Sequence, residues 1–171
     1  MAAHSQHGSH DSTPAGAAAP PNPGHAGQYR RFAAMLLVSF VAMYFLMYAM
    51  VDGLDNVYAS WNQVYMAGVM TAAMLVIELA LMWSMYPDRK LNLVLLGVGL
   101  ALGVGCWWGI REQAAIGDAQ FLRSMIPHHA GAILMCEEAD LSDAELRKLC
   151  GQILAAQRTE IAQMKALLGR Q

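Results

Sequence analysis

The sequence predicts an all-α membrane protein: three transmembrane helices followed by an extramembrane αα-hairpin that completes a four-helix bundle by self-association. Three observations predict it. Of 171 residues, 56% are hydrophobic and only 14% charged, whereas soluble proteins carry about 25% charged residues. The apolar residues gather in three runs, at residues 32–51, 64–86 and 91–110, each as long as the roughly 20 helical residues that cross a hydrocarbon core. Beyond the last run the chain turns amphipathic with the helical period.

Residues 1–28 are rich in His, Pro, Ala, Gly and Ser, so they cannot bury apolar surface and are expected to be disordered. The stretch has no apolar centre of the kind a secretory signal needs, so the first apolar run is expected to stay as an anchor. Residues 29–112 form the three-span region. Arg30 and Arg31 precede the first span, and Arg89 and Lys90 lie between the second and third, whereas residues 52–60 carry only Asp52 and Asp55. The positive-inside rule then places the N-terminus in the cytoplasm and the C-terminal segment on the outer side of a bacterial inner membrane. Trp61, Tyr65, Trp107 and Trp108 fall at that outer boundary, as an interfacial aromatic belt requires. The formal net charge is −2 and no basic stripe exists, which excludes a nucleic-acid partner; lipid is the partner the composition demands.

Residues 113–171 form the hairpin. Asp118 caps its first helix, whose apolar positions are Phe121, Leu122, Met125, His129, Ala132, Ile133 and Cys136. Pro127 removes a backbone hydrogen bond there, predicting a kink near Arg123 or a helix that restarts at Pro127. Ser142 and Glu145 read as a capping box opening the second helix, whose apolar face is Leu146, Leu149, Cys150, Ile153, Leu154, Ile161, Met164 and Leu168. A hairpin this small buries little by itself. Self-association or docking on the spans is needed to cover it.

The stretch FLRSMIPHHAGAILMCEEAD (residues 121–140) concentrates soft donors. Met125, His129 and Cys136 form one helical row, and His128 and Met135 a second beside it, all within about one third of the circumference. Imidazole, thioether and thiolate together suit Cu(I), with Ag(I) or Zn(II) as further candidates. The expected metal ligands are His128, His129, Met125, Met135, Cys136 and Met164, with Gln157, Asp118 and Glu160 placed to support them. Glu137 and Glu138 lack a His three residues later, so no Glu-x-x-His pair for a di-iron site is present. Cys136 and Cys150 are offset across the turn, which leaves disulfide, free thiol and ligand all open.

His4, His7 and His10 offer a second metal site, where removal of Met1 would leave an Ala2-Ala3-His4 terminus that suits square-planar Cu(II) or Ni(II). Met43, Met47 and Met50, and Met66, Met70 and Met74, form single-face ladders that serve either packing or ion handover. Glu78 is an acid inside a span, by default a functional candidate. No nucleophile and base, phosphate loop or carboxylate dyad is apparent, so binding is expected rather than catalysis. The alternatives are a transport or channel subunit built on Glu78 and the Met ladders, and a structural or regulatory membrane protein without metal.

Asp118, Phe121, Met125, Ile126, His128, His129, Ala132, Ile133 and Met135, followed by Gln157, Glu160, Ile161 and Met164, resemble the family called domain of unknown function 305, in its form with N-terminal membrane spans. The resemblance implies a ferritin-like helical fold, of which one hairpin is half. It further implies an association with copper binding and tolerance, as for some periplasmic members, and hence other copper-handling proteins as partners.

Overall fold

The computed structural model describes residues 25–171 and is all-α. Helix α1 spans His25–Leu46 and tightens into a 3₁₀ turn at Met47–Met50; α2 spans Trp61–Leu81, α3 Arg89–Arg111, α4 Asp118–Glu138 and α5 Ala144–Leu168. Three stretches are long and apolar enough to cross a membrane: Gly27–Met50, Trp61–Leu81 and Arg89–Arg111. The second ends five residues earlier than its apolar run, because a 3₁₀ turn at Trp83–Met85 and Pro87 break the helix. Glu78 therefore stands in the last turn of α2, nearer the membrane boundary than the apolar run alone implies.

The spans pack through small residues and a few well-satisfied polar ones. A methyl group on Gly99 would lie 2.6 Å from Leu75 Cδ2, so its bare Cα is what lets α3 close on α2. At the end where α1 begins, Asn92 is completely buried; its amide donates to the Tyr86 carbonyl (3.0 Å) and its oxygen accepts from the Tyr29 hydroxyl (2.8 Å). Phe32, Leu75, Leu79 and Tyr86 form the core at this end.

The junction between α3 and α4 is an irregular turn. Gln113 and Ala115 take left-handed backbone angles, φ 51° and 58°, which a β-carbon disfavours by about 1–2 kcal/mol each. The turn is held by Asn62, whose amide donates to Gln113 Oε1 (3.1 Å), and by the Tyr65 hydroxyl, which donates to the Ala114 carbonyl (2.9 Å). Tyr65 is thus a strut rather than a belt residue alone, while Trp107 and Trp108 stay exposed. Ala115→Gly is expected to stabilise the protein by about 1 kcal/mol, read as a higher melting temperature in detergent.

Helix α4 runs unbroken through Pro127 rather than restarting there. Gly117 is its N-cap and Asp118 its first residue, so the helix starts one position earlier than a cap at Asp118 implies. The buried positions are Leu122, Ile126, Ala130, Gly131 and Ile133, a stripe turned away from the one periodicity picks out, and Phe121 is 49% exposed. The reason is that α4 has neighbours on two sides. Ile126, Ala130 and Ile133 pack with Ile161 of α5 and also meet Val51 and Tyr58 from the α1–α2 connection. Within one chain the hairpin is therefore docked on the spans, and each fully buried aliphatic there contributes about 1.5–3 kcal/mol.

Helix α5 starts one residue later than the Ser142 capping box implies. Asp143 is the cap, its carboxylate accepting from the Glu145 and Leu146 amides at 2.7 and 3.0 Å. Arg147 donates to the Leu141 and Ser142 carbonyls and so closes the turn. Cys136 and Cys150 are joined in a disulfide with their Cα atoms 5.4 Å apart. The offset that left this pairing open is absorbed by the connection, extended at Ala139 and Asp143, which carries the chain past the end of α4 before α5 begins.

Candidate metal centre

The adjacent histidines of α4 face different neighbours. His129 Nδ1 lies 2.9 Å from the Met125 carbonyl one turn back, and Nε2 lies 3.0 Å from Glu160 Oε2 of α5. Both ring nitrogens are thus engaged within the hairpin, and the side chain is only 14% exposed. The structure therefore places His129 against α5 and not on the cleft that His128 lines. Glu160, expected as a supporting residue, meets His129, whereas half-buried Gln157 sits nearby on α5 without that contact.

His128 turns the other way. It is exposed and lines an open cleft of about 590 Å³ between α4 and the neighbouring ends of the spans. Met125 and Met135 of α4 share this wall, and Met47, Met50 and Met66 face them from the 3₁₀ turn and from α2. Gly131 forms the narrow part, where α4 passes close to the backbone of the 3₁₀ turn: a methyl group there would come 3.4 Å from the Met50 carbonyl, an ordinary van der Waals contact. Met50, Met66 and Met135 are 55%, 45% and 54% exposed, so their thioethers are open to the cleft rather than enclosed by the chain's own core.

The remaining expected ligands are elsewhere. Cys136 is half of the disulfide and offers no thiolate. Met164 packs beside the Ile126–Ile161 cluster. Asp118 begins α4, ten residues from His128 and so about 15 Å along the helix axis. Glu78 is twelve residues from Met66 along α2, about 18 Å away at the opposite end. His4, His7 and His10 lie outside the described residues. Among the described residues no three His, Cys, Asp or Glu side chains gather as a metal cluster; the donors that do converge are thioethers and one imidazole.

Sequence reasoning missed Met47, Met50 and Met66 as companions of His128. The signal was present in their position at the ends of two spans nearest the hairpin, where a docked α4 must pass.

Comparison with known proteins bears on the same segment. Residues 111–169 match the family model described as Domain of unknown function (DUF305). The chain is similar to "Uncharacterized protein L153" of Acanthamoeba polyphaga mimivirus, with 31% identity over 137 residues that cover 78% of this chain and 88% of that protein. That likeness is more than twice as long as the family match, so it extends into the spans. No solved structure matches. With the His-His helix, its partner α5 and the junction all inside the matched segment, the chain belongs to the DUF305 family.

Proposed function

We propose that this chain is a membrane-anchored Cu(I)-binding protein that holds the ion in the cleft between α4 and the spans, for sequestration, tolerance or handover to other copper-handling proteins. The observation that carries the reading is the donor set on that cleft: five thioethers and the His128 imidazole. Thioether and imidazole are soft or intermediate donors that favour Cu(I) and Ag(I), and the cleft presents no carboxylate that would favour a hard ion. Three or four of these side chains suffice for a coordination sphere, and His128 supplies the strongest σ-donor among them.

In this reading the N-terminus is cytoplasmic and the hairpin lies on the outer side of a bacterial inner membrane. The Cys136–Cys150 disulfide supports that placement, since disulfides persist in oxidising compartments. Leu146 and Leu149 of α5 remain about half exposed, and they supply the apolar surface for self-association into a ferritin-like four-helix bundle. The chain's role is binding, not catalysis.

The test is a Cu(I) competition titration of the full chain in detergent. The wild type is expected to bind one Cu(I) per chain. Replacing Met50, Met66 and Met125 together by leucine, which conserves volume, is expected to weaken binding by more than about tenfold, or 1.4 kcal/mol. Unchanged affinity in that variant, or a preference for Zn(II) over Cu(I), sinks the reading.

A further inference from the structure

At the opposite end of the bundle from the methionine cleft, a second cavity opens beside the beginning of α1. It has a volume of about 380 Å³, within the roughly 300–1,000 Å³ typical of small-molecule sites. Phe32 and Met35 of α1 give it an apolar wall, while Gln28, Arg31, Glu78 and Tyr86 bring polar groups to it. Arg31 and Glu78 carry opposite charges into one pocket without pairing: neither takes part in an ion pair of the described residues.

Two further features say what the pocket wants. The Gln28 side-chain oxygen is buried and accepts no hydrogen bond among the described residues, so it offers a free acceptor to a donor that enters the pocket. Burial first, and the Glu78 carboxylate next, push the Tyr86 phenol above its ordinary pKa, so it stays a hydroxyl close to that carboxylate. The cavity therefore presents acceptors at Glu78 and Gln28 for a cation that can donate hydrogen bonds, and a guanidinium at Arg31 for an anion.

Its depth is equally informative. Gln28 and Arg31 begin the first span, Gly27–Met50, and Glu78 is in the last turn of the second, Trp61–Leu81. The pocket is thus at a membrane boundary, where headgroups meet acyl chains. We propose that it is a binding site for one phospholipid with a zwitterionic primary-amine headgroup, of the phosphatidylethanolamine type. The ammonium donates to Glu78 and Gln28, the phosphodiester accepts from Arg31, and an acyl chain follows Phe32 and Met35. An unpaired acid near the hydrocarbon is costly unless it is paired or neutralised, and such a lipid pairs it without adding net charge.

The assignment is independent of the copper reading and is tested separately. Full-chain protein in detergent is exposed to phosphatidylethanolamine, phosphatidylcholine or phosphatidylglycerol of identical acyl chains, and retained lipid is counted by native mass spectrometry. One phosphatidylethanolamine per chain is expected, favoured over each of the others by about tenfold, the scale of one charge-assisted hydrogen bond. Glu78→Gln is expected to abolish that preference and Glu78→Asp to keep it, while Arg31→Gln weakens retention of all three lipids. Equal retention of the three lipids by the wild type overturns the proposal. So does a preference that survives Glu78→Gln, or displacement of the lipid by stoichiometric soluble phosphoethanolamine, which would assign the site to a free metabolite.

Discussion

Replacing His128 by alanine is expected to lower Cu(I) affinity by at least about tenfold, whereas His129→Ala leaves affinity within about twofold and instead loosens the hairpin. The two histidines are neighbours in sequence, and a metal site built on the pair predicts equal losses. Their surroundings predict unequal ones. His128 is exposed on the thioether-lined cleft, and deleting one good ligand from a soft-metal site costs no less than about 1.4 kcal/mol, the equivalent of tenfold. His129 instead spans the Met125 carbonyl and Glu160. Glu160 is half exposed, so solvent screens the pair, and its loss together with packing costs about 1 kcal/mol. Copper affinity and thermal unfolding measured on both variants separate the roles; equal affinity losses would falsify the division of labour.

Most of the fold was legible in the sequence because its strongest signals are one-dimensional. Apolar length alone locates three spans, and the amphipathic period locates α4 and α5. Their ends were less legible, since they depend on single side chains: Asp143 rather than Ser142 reaches the free amides of α5, and the 3₁₀ turn after Leu81 shortens the second span. Pro127 shows the reverse case. Its local cost argues for a break, but burial of Ile126, Ala130 and Ile133 on two neighbours at once holds α4 continuous.

The site was legible in part for a related reason. Helical periodicity separated two rows on α4, one with His128 and Met135 and the other with Met125, His129 and Cys136, although Met125 lines the cleft beside His128. It could not say that the rows face different partners, because that follows from where α5 and the spans approach. The first row meets Met47, Met50 and Met66; the second meets Glu160 and Cys150. Those three span methionines are 62 to 81 residues from His128 in the chain, and no local pattern joins residues that far apart.

Removing the disulfide by Cys136→Ser with Cys150→Ser is expected to destabilise the hairpin by about 3 kcal/mol, the chain-entropy value for a closed loop of some 15 residues. The bridge spans 14 residues and ties the last turn of α4 to the second turn of α5, where few other contacts hold the helices. The exposed Glu137–Arg158 pair adds little, and Leu146 and Leu149 are about half open to solvent. The loss should therefore appear locally. Amide exchange in the first half of α5 is expected to quicken by about a hundredfold, the kinetic equivalent of that energy, while the spans keep their protection. Copper affinity is expected to persist at a temperature where the variant is folded, because the thioethers and His128 are untouched and Cys136 contributes no thiolate to the cleft. A variant that folds yet loses copper would instead restore Cys136 to the ligands and make the oxidised and reduced hairpins two different metal sites.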